Sequence, residues 1–253
     1  MFIRNERSIK EFIQYYPVTS VLVIVFMALW LIIDFLQLPF GNLIYQWGAG
    51  NNFFVDQGQY WRLVTPIFLH GDLMHMLFNS FALVIFGPAL EQMLGKVKFL
   101  IAFLTAGIIG NIATFIFGPA EIFYVHLGAS GSIYGLFGIY LFMLAFRKHF
   151  IDSGSRQVIL IIFIIGLVMT FIGSNINSTA HIFGAIGGFL IAPIVLIRAN
   201  PYSPWRNRRH FYREKDEGDV QFDPNRWQKK KRSKKIIWII VGILVLIAIW
   251  NRL

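Results

Sequence analysis

Seven apolar segments, each long enough to approach a membrane crossing, constrain the fold of this 253-residue chain more than any other feature. A helix needs about 20 mostly apolar residues to cross the hydrocarbon core of a bilayer. Only 14% of the residues are charged and 56% are hydrophobic, which excludes a soluble enzyme and a disordered chain. We predict an all-α fold, a polytopic membrane helix bundle with six spans and one further C-terminal transmembrane helix. The segments lie at 18–37, 72–89, 98–117, 129–146, 158–174, 179–197 and 236–250.

The basic residues indicate the direction in which the spans run. All of the 23 Lys and Arg residues except Arg62 and Arg252 fall in the N-terminal tail or in every second connection. Connections rich in Lys and Arg stay in the cytoplasm. The net charge of +10 therefore reflects membrane topology and does not indicate nucleic-acid binding. We predict a multi-pass protein of the cell membrane with a cytoplasmic N-terminus.

Composition divides the chain into four regions. Residues 1–17 form a basic cytoplasmic tail, and residues 18–198 hold the first six spans. Residues 199–235 contain three prolines and many basic side chains, which predicts a cytoplasmic linker lying against anionic membrane lipid. The same charges would also serve as a simple topology determinant. Residues 236–253 hold the seventh transmembrane helix.

The second span carries two polar residues four positions apart, His75 and Asn79. This spacing places both side chains on one face of a helix, about one turn apart. Polar groups inside a membrane are costly and usually face a cavity or a partner. Taken alone, such a pair more often makes a hydrogen bond between neighbouring helices than a catalytic site.

The fourth span begins with the sequence Gly128-Ala129-Ser130-Gly131. Glycines beside a serine leave its hydroxyl unhindered, which is the logic of a nucleophile elbow. The alternative interpretation is close helix packing, because Gly131, Gly135 and Gly138 form a ridge of small residues. Both interpretations can hold together.

The sixth span carries His181, followed on the same helical face by Gly184 and Gly188. Small residues let two helices approach closely, so an imidazole beside them can lie against the neighbouring helix. Taken alone, this histidine indicates packing more often than base catalysis.

Topology brings the polar groups of three spans to one depth. Spans two, four and six run from outside to inside, and each has its polar residues near its outer end. Ser130 and His181 therefore form a candidate pair of nucleophile and general base. The side chains of His75 and Asn79, with the Ser130 amide, are candidate donors for an oxyanion hole.

A third, acidic member of a catalytic triad is not predicted. Asp72 lies at the start of span two, and Glu91 lies towards its cytoplasmic end, far in depth from His181. Tyr134, one helical turn after Ser130, is expected to stack on the imidazole and orient it. The chain has no cysteine, so a thiol nucleophile and thiolate metal ligands are excluded. We expect a Ser-His dyad without metal or cofactor.

These motifs, in this order, resemble the rhomboid family of intramembrane serine proteases. The resemblance covers about residues 41–198, and the six-span rhomboid-like core with a seventh helix matches a six-plus-one arrangement. The residues that carry it are Trp61-Arg62, the stretch from His70 to Asn79, Gly87-x3-Glu91-x3-Gly95, Gly128-Ala129-Ser130-Gly131 with Tyr134, and Ala180-His181-x2-Gly184-x3-Gly188.

The resemblance implies a role for each matching residue. Ser130 is implied as the nucleophile, His181 as the general base, and His75 and Asn79 as oxyanion donors. The family cleaves transmembrane proteins near the membrane surface without metal or nucleotide, which implies transmembrane protein substrates and an active site opening to the outer face. The supporting residues implied by the match are Tyr134, Gly128, Gly131, His70, Trp61, Arg62, Glu91, Gly184 and Gly188.

Two other functions are considered. A catalytically inactive relative that binds membrane helices for quality control would lack the dyad, whereas Ser130 and His181 are both present. A small transporter or channel would carry charged groups near the middle of the membrane. The acidic residues of the spans, mainly Asp34 and Glu91, lie towards the ends.

Overall fold

The computed structural model describes residues 6–119, 121, 124–173 and 176–206. Nine α-helices occur in this described part, joined by 3₁₀ turns and one pair of short antiparallel strands, β1 and β2. The predicted seventh helix and most of the basic linker lie outside it. The helices are α1 (Ile9–Tyr15), α2 (Pro17–Trp30), α3 (Pro39–Gly48), α4 (Asn52–Asp56), α5 (Leu73–Leu94), α6 (Lys96–Phe117), α7 (Ser130–Phe146), α8 (Ser153–Ile172) and α9 (Ser178–Val195), and the strands are β1 (Gly50–Asn51) and β2 (Val125–His126).

The first six predicted spans all correspond to helices, which confirms the polytopic helical fold. By length and composition, five are long and apolar enough to cross a membrane: α2 with its π-helical continuation to Phe35, α5, α6, α8 and α9. Helix α7 is shorter, with 17 residues. At 1.5 Å per residue it is about 25 Å long, less than the roughly 30 Å of a hydrocarbon core. With α2 counted together with its π-helical continuation, α7 is thus the shortest of the six helices that correspond to predicted spans.

Helix α5 continues to Leu94, beyond residue 89 where the apolar segment was expected to end. Glu91 lies in this extension, and the helix continues through it because the carboxylate has hydrogen-bond donors. Its carboxylate accepts hydrogen bonds from the backbone N–H groups of Val18 (2.9 Å) and Thr19 (2.8 Å) and from the Thr19 hydroxyl (2.7 Å). These bonds satisfy a buried charge and join the end of α5 to the start of α2.

The connection between α2 and α5 is a folded segment held together by Arg62. The guanidinium donates to the carbonyl oxygens of Ala49 (2.6 Å) and Gln46 (2.7 Å) and to Gln59 Oε1 (2.7 Å). Its carbon lies 4.7 Å from the centre of the Phe54 ring. Burial lowers the pKa of Arg62, and these partners compensate the buried charge.

Helix α7 is the centre of the bundle and packs directly on α9 and α6. Eleven of its 17 residues are buried. The contact with α9 is made by backbone against backbone: a Cβ at Gly188 would overlap the Gly135 carbonyl, and one at Gly138 would overlap the Ala185 carbonyl. The glycine ridge predicted on α7 is therefore used for close packing.

The chain after α9 folds back onto the end of α5. Asn200 donates its N–H to the Met93 carbonyl (3.2 Å), and Ser203 donates its N–H to Gln92 Oε1 (2.8 Å). Tyr202 packs partly buried against the core. The first residues of the predicted linker thus contact the six-helix core, and the remainder lies outside the described residues.

Candidate active site

Ser130 is the first residue of α7 and is half-buried. No side chain caps this end of the helix, because the residue before it is Ala129. The first N–H groups of a helix have no intrahelical acceptor and lie at the positive end of the helix dipole. The Ser130 hydroxyl is therefore accompanied by backbone donors that favour a developing negative charge.

His181 lies in the first turn of α9 and is buried, with 8% of its surface exposed. Its position is fixed by Asn177, whose side-chain oxygen accepts from the Ala180 N–H at 3.0 Å. The same side chain bonds the Thr114 hydroxyl on α6. The cap therefore fixes both the start of α9 and its attachment to α6.

The starts of α7 and α9 lie directly against each other. A Cβ placed on Gly131 would lie 3.3 Å from the Ala180 carbonyl oxygen, so the backbone beside Ser130 contacts the backbone beside His181. The Tyr134 ring stacks on the His181 imidazole, with centroids 4.2 Å apart and planes 14° apart. The structure thus brings together the two residues predicted as nucleophile and base. The Ser130–His181 hydrogen bond itself remains a prediction, since the contacts of the described residues do not include it.

Thr170 on α8 is a residue of the site that the sequence reasoning missed. Its Oγ1 lies 2.8 Å from His181 Nδ1 and 2.9 Å from the Tyr134 hydroxyl. A lone threonine in an apolar span usually bonds the carbonyl four residues earlier, and Thr170 also does this, at 2.8 Å from the Gly166 oxygen. The sequence therefore gives no signal that separates it from an ordinary helical threonine.

His75 lies against the loop that leads to Ser130. A Cβ on Gly128 would lie 2.5 Å from His75 Nε2, so a side chain at this position would collide with the imidazole. Gly128 also has φ +119°, a conformation that favours glycine. Two independent requirements thus call for glycine here. Asp72 caps α5 by accepting from the His75 N–H at 2.8 Å.

Asn79 and His70 both contact His75. Asn79 is buried, and its Nδ2 donates to the His75 carbonyl at 2.9 Å, which leaves its second N–H for another acceptor. The His70 ring lies between the rings of Phe26 (4.8 Å) and His75 (5.1 Å). Burial lowers the pKa of His70 to about 3, so the ring that contacts His75 is neutral.

Three of the predicted supporting residues do not reach the site. Glu91 lies 16 positions after His75 on α5, which is about 24 Å along the helix. Trp61 donates its Nε1–H to the Trp47 carbonyl at 3.0 Å and stacks on the Trp47 ring. Glu91, Trp61 and Arg62 thus contact other parts of the fold. Their predicted role as structural braces remains an inference from these contacts.

The sequence model of the family described as Rhomboid domain matches residues 57–198 of this chain. Every residue that the sequence analysis assigned to the site, from Trp61 to Gly188, lies within this range. The motifs found in the sequence therefore lie in the same part of the chain that the family model matches.

Individual relatives cover the same region. The protein YdcA of Bacillus subtilis is 45% identical over 195 residues, which are 76% of this chain and 94% of the relative. Rhomboid protease GluP of the same organism is also 45% identical, over 146 residues that make up 57% of this chain and 28% of GluP. Rhomboid-like protease 1 of Toxoplasma gondii is 29% identical over 175 residues and is covered over 58% of its length. The chain thus spans nearly all of YdcA but less than two thirds of the other two.

Proposed function

Because this chain is a multi-pass membrane protein that belongs to the rhomboid family of proteases, we propose that it cleaves transmembrane-helix substrates as a serine endopeptidase. Ser130 acts as the nucleophile and His181 as the general base. The observation that carries the proposal is the His181 imidazole stacked at 4.2 Å on Tyr134, one turn after Ser130. A stack of this kind fixes the orientation of the imidazole against a residue one helical turn from the serine.

The reaction proceeds by acyl transfer to water. Ser130 Oγ attacks the scissile carbonyl while His181 Nε2 takes the hydroxyl proton, which it then gives to the leaving amine. Water next attacks the acyl ester, His181 takes one of its protons, and the Ser130 oxygen leaves and regains a proton. The oxyanion formed in each step accepts hydrogen bonds from the Ser130 N–H and the side chains of His75 and Asn79.

The substrate reaches the site sideways, between α5 and α8. In support, α8 packs on α7 and α9, and only Ser155, Ile159 and Thr170 of its 20 residues are buried. A helical substrate must also unwind, because its carbonyl groups are occupied by intrahelical hydrogen bonds. The backbone groups of the resulting extended segment then need new hydrogen-bond partners, which the polar groups of the site and water from the outer face supply.

The experiment that tests the assignment is labelling of the purified protein by a fluorophosphonate, which reacts with an activated serine. We expect a single modified tryptic or chymotryptic peptide that contains Ser130, and loss of cleavage of a transmembrane reporter substrate in proportion to labelling. Labelling of another serine, or full cleavage by a fully labelled protein, would contradict the proposal.

We further propose that the N-terminus is cytoplasmic in the cell membrane and that the site opens to the outer face. The chain contains no cysteine, so single-cysteine probes report orientation directly. Gln57→Cys replaces an exposed residue of the first outer connection, and Ser153→Cys replaces the exposed first residue of α8, next to the second cytoplasmic connection. We expect an impermeant thiol reagent to label Gln57→Cys in intact cells and Ser153→Cys only after permeabilisation. Ser155→Cys, at a buried position, is the control for accessibility, and the reverse labelling pattern would overturn the orientation.

Asn79→Ala should lower turnover by less than Ser130→Ala does and should leave KM nearly unchanged. Loss of a fully used oxyanion donor costs about 10²–10³ in rate, and here three donors share the charge. Steady-state kinetics on a reporter substrate measures the effect. Asn111→Ala is the matched control, because Asn111 is also a buried amide in a span and donates to the Leu63 carbonyl at 2.9 Å. A loss in Asn79→Ala equal to that in Ser130→Ala would mean that Asn79 is needed for the structure of the site.

A further inference from the structure

Thr170 is the meeting point of three hydrogen bonds beside the proposed general base. Its hydroxyl oxygen lies 2.8 Å from His181 Nδ1 on α9, 2.9 Å from the Tyr134 hydroxyl on α7 and 2.8 Å from the Gly166 carbonyl on its own helix. The residue is buried, with 3% of its surface exposed. Three helices of the bundle are therefore joined through one hydroxyl group.

The count of protons in this cluster determines which atom of His181 carries hydrogen. A threonine hydroxyl has one proton to donate and two lone pairs that accept. The Gly166 carbonyl can only accept, so it takes the Thr170 proton. The two lone pairs then accept from the Tyr134 O–H and from His181 Nδ1–H, and every group in the cluster has a partner.

The opposite assignment would impair the proposed chemistry. If Thr170 donated its proton to His181 Nδ1, the neutral imidazole would carry its hydrogen on Nε2. That nitrogen could then not accept the Ser130 proton. The arrangement with hydrogen on Nδ1 serves both states of the reaction, because the protonated ring still donates from Nδ1 to Thr170.

We propose that Thr170 is a positioning residue that holds His181 in the Nδ1–H tautomer, and this inference rests on the proposed serine protease function. In a Ser-His-Asp triad a buried carboxylate has this task. A neutral hydroxyl performs it at the depth of a membrane without the cost of burying a charge. Asp72 and Glu91, the two carboxylates considered above as a third member of a triad, accept hydrogen bonds at the starts of α5 and α2 instead.

The first test compares Thr170→Val with Thr170→Ser. Valine has nearly the shape of threonine but no hydroxyl, and serine keeps the hydroxyl. For Thr170→Val we expect kcat to fall by about 10–100-fold, as when a metal-ligating histidine loses its orienting partner, with KM nearly unchanged. Thr170→Ser should retain most of the wild-type kcat. Equal kcat in Thr170→Val and wild type, or no rescue by serine, would overturn the proposal.

The second test observes the tautomer itself. Proteins labelled with ¹⁵N-histidine are compared by NMR in detergent near neutral pH, and the His181 signals are identified by their loss in His181→Gln. We expect hydrogen on Nδ1 in the wild type and a mixture of tautomers in Thr170→Val. Hydrogen on Nε2 in the wild type would refute the proposal, even if Thr170→Val did not fold.

Thr19→Val is the control for the general cost of replacing a buried threonine. Thr19 lies at the cytoplasmic end of the bundle, and its hydroxyl bonds Glu91 at 2.7 Å. We expect this variant to lower the temperature of unfolding without changing kcat of the folded protein or the His181 tautomer. Cleavage by Ser130→Ala would refute the protease mechanism, whereas an inactive Ser130→Ala beside a fully active Thr170→Val would refute only the role of Thr170.

Discussion

Ser130→Ala and His181→Ala should each lower the cleavage of a transmembrane reporter substrate by at least about 10³-fold, because members of a nucleophile–base pair act as a unit. Without Ser130 Oγ no acyl-enzyme forms. Without the imidazole the hydroxyl keeps its proton at neutral pH and is a weak nucleophile. The measurement is turnover by purified protein in detergent, with the temperature of unfolding recorded for each variant. Both variants should also lose fluorophosphonate labelling.

Ser132→Ala is the matched control for this result. Ser132 lies two residues after Ser130 on the same helix, but its hydroxyl is buried and has no hydrogen-bond partner in the part of the chain that the structure describes. It faces Gly107 of α6, and a Cβ at Gly107 would overlap it. Removing an unpaired buried hydroxyl should leave turnover near that of the wild type. Substantial turnover by Ser130→Ala, or inactivity of a folded Ser132→Ala, would contradict the assignment of the nucleophile.

The spans could be predicted from the sequence, and Ser130 and His181 could be proposed as a pair, because both steps use one-dimensional patterns. Apolar length defines a membrane helix. The direction of each span then sets the depth of every polar residue on it, without knowledge of which helices touch. The stacking of Tyr134 on His181 could be predicted from the helical repeat of α7, which places Tyr134 one turn after Ser130. The two rings do stack.

Contacts between distant segments could not be predicted in this way. Thr170 joins the site because α8 packs beside α9. The apolar sequence of α8 does not indicate which helix it packs against. Helix α5 extends five residues beyond the apolar segment 72–89 for a similar reason. A glutamate at position 91 normally favours the end of a membrane span, but three donors from α2 compensate its charge. In both cases hydrogen bonds to residues of another helix decide the outcome.

Gly184→Ala should separate α7 from α9 and thereby pull His181 away from Ser130. A Cβ at position 184 would overlap the Gly131 carbonyl oxygen and would lie 2.9 Å from the Gly131 carbonyl carbon. Both atoms belong to the backbone, so no side chain can rotate to make room. Overpacking of this kind costs about 1–3 kcal/mol of stability. A displacement of about 1 Å in a catalytic pair can cost about 10²-fold in rate, so we expect a loss of activity of at least this size.

The measurement for Gly184→Ala is turnover and fluorophosphonate labelling per folded molecule, with the temperature of unfolding in detergent determined separately. Gly154→Ala is the matched control, because the nearest atom to a Cβ there is Asp152 Oδ1 at 3.5 Å, an ordinary contact. Gly154 is exposed in the first turn of α8, where alanine favours the helix. We expect unchanged activity for this control. Full activity of Gly184→Ala at an unchanged temperature of unfolding would mean that the dyad does not depend on the close approach of α7 and α9 at Gly184.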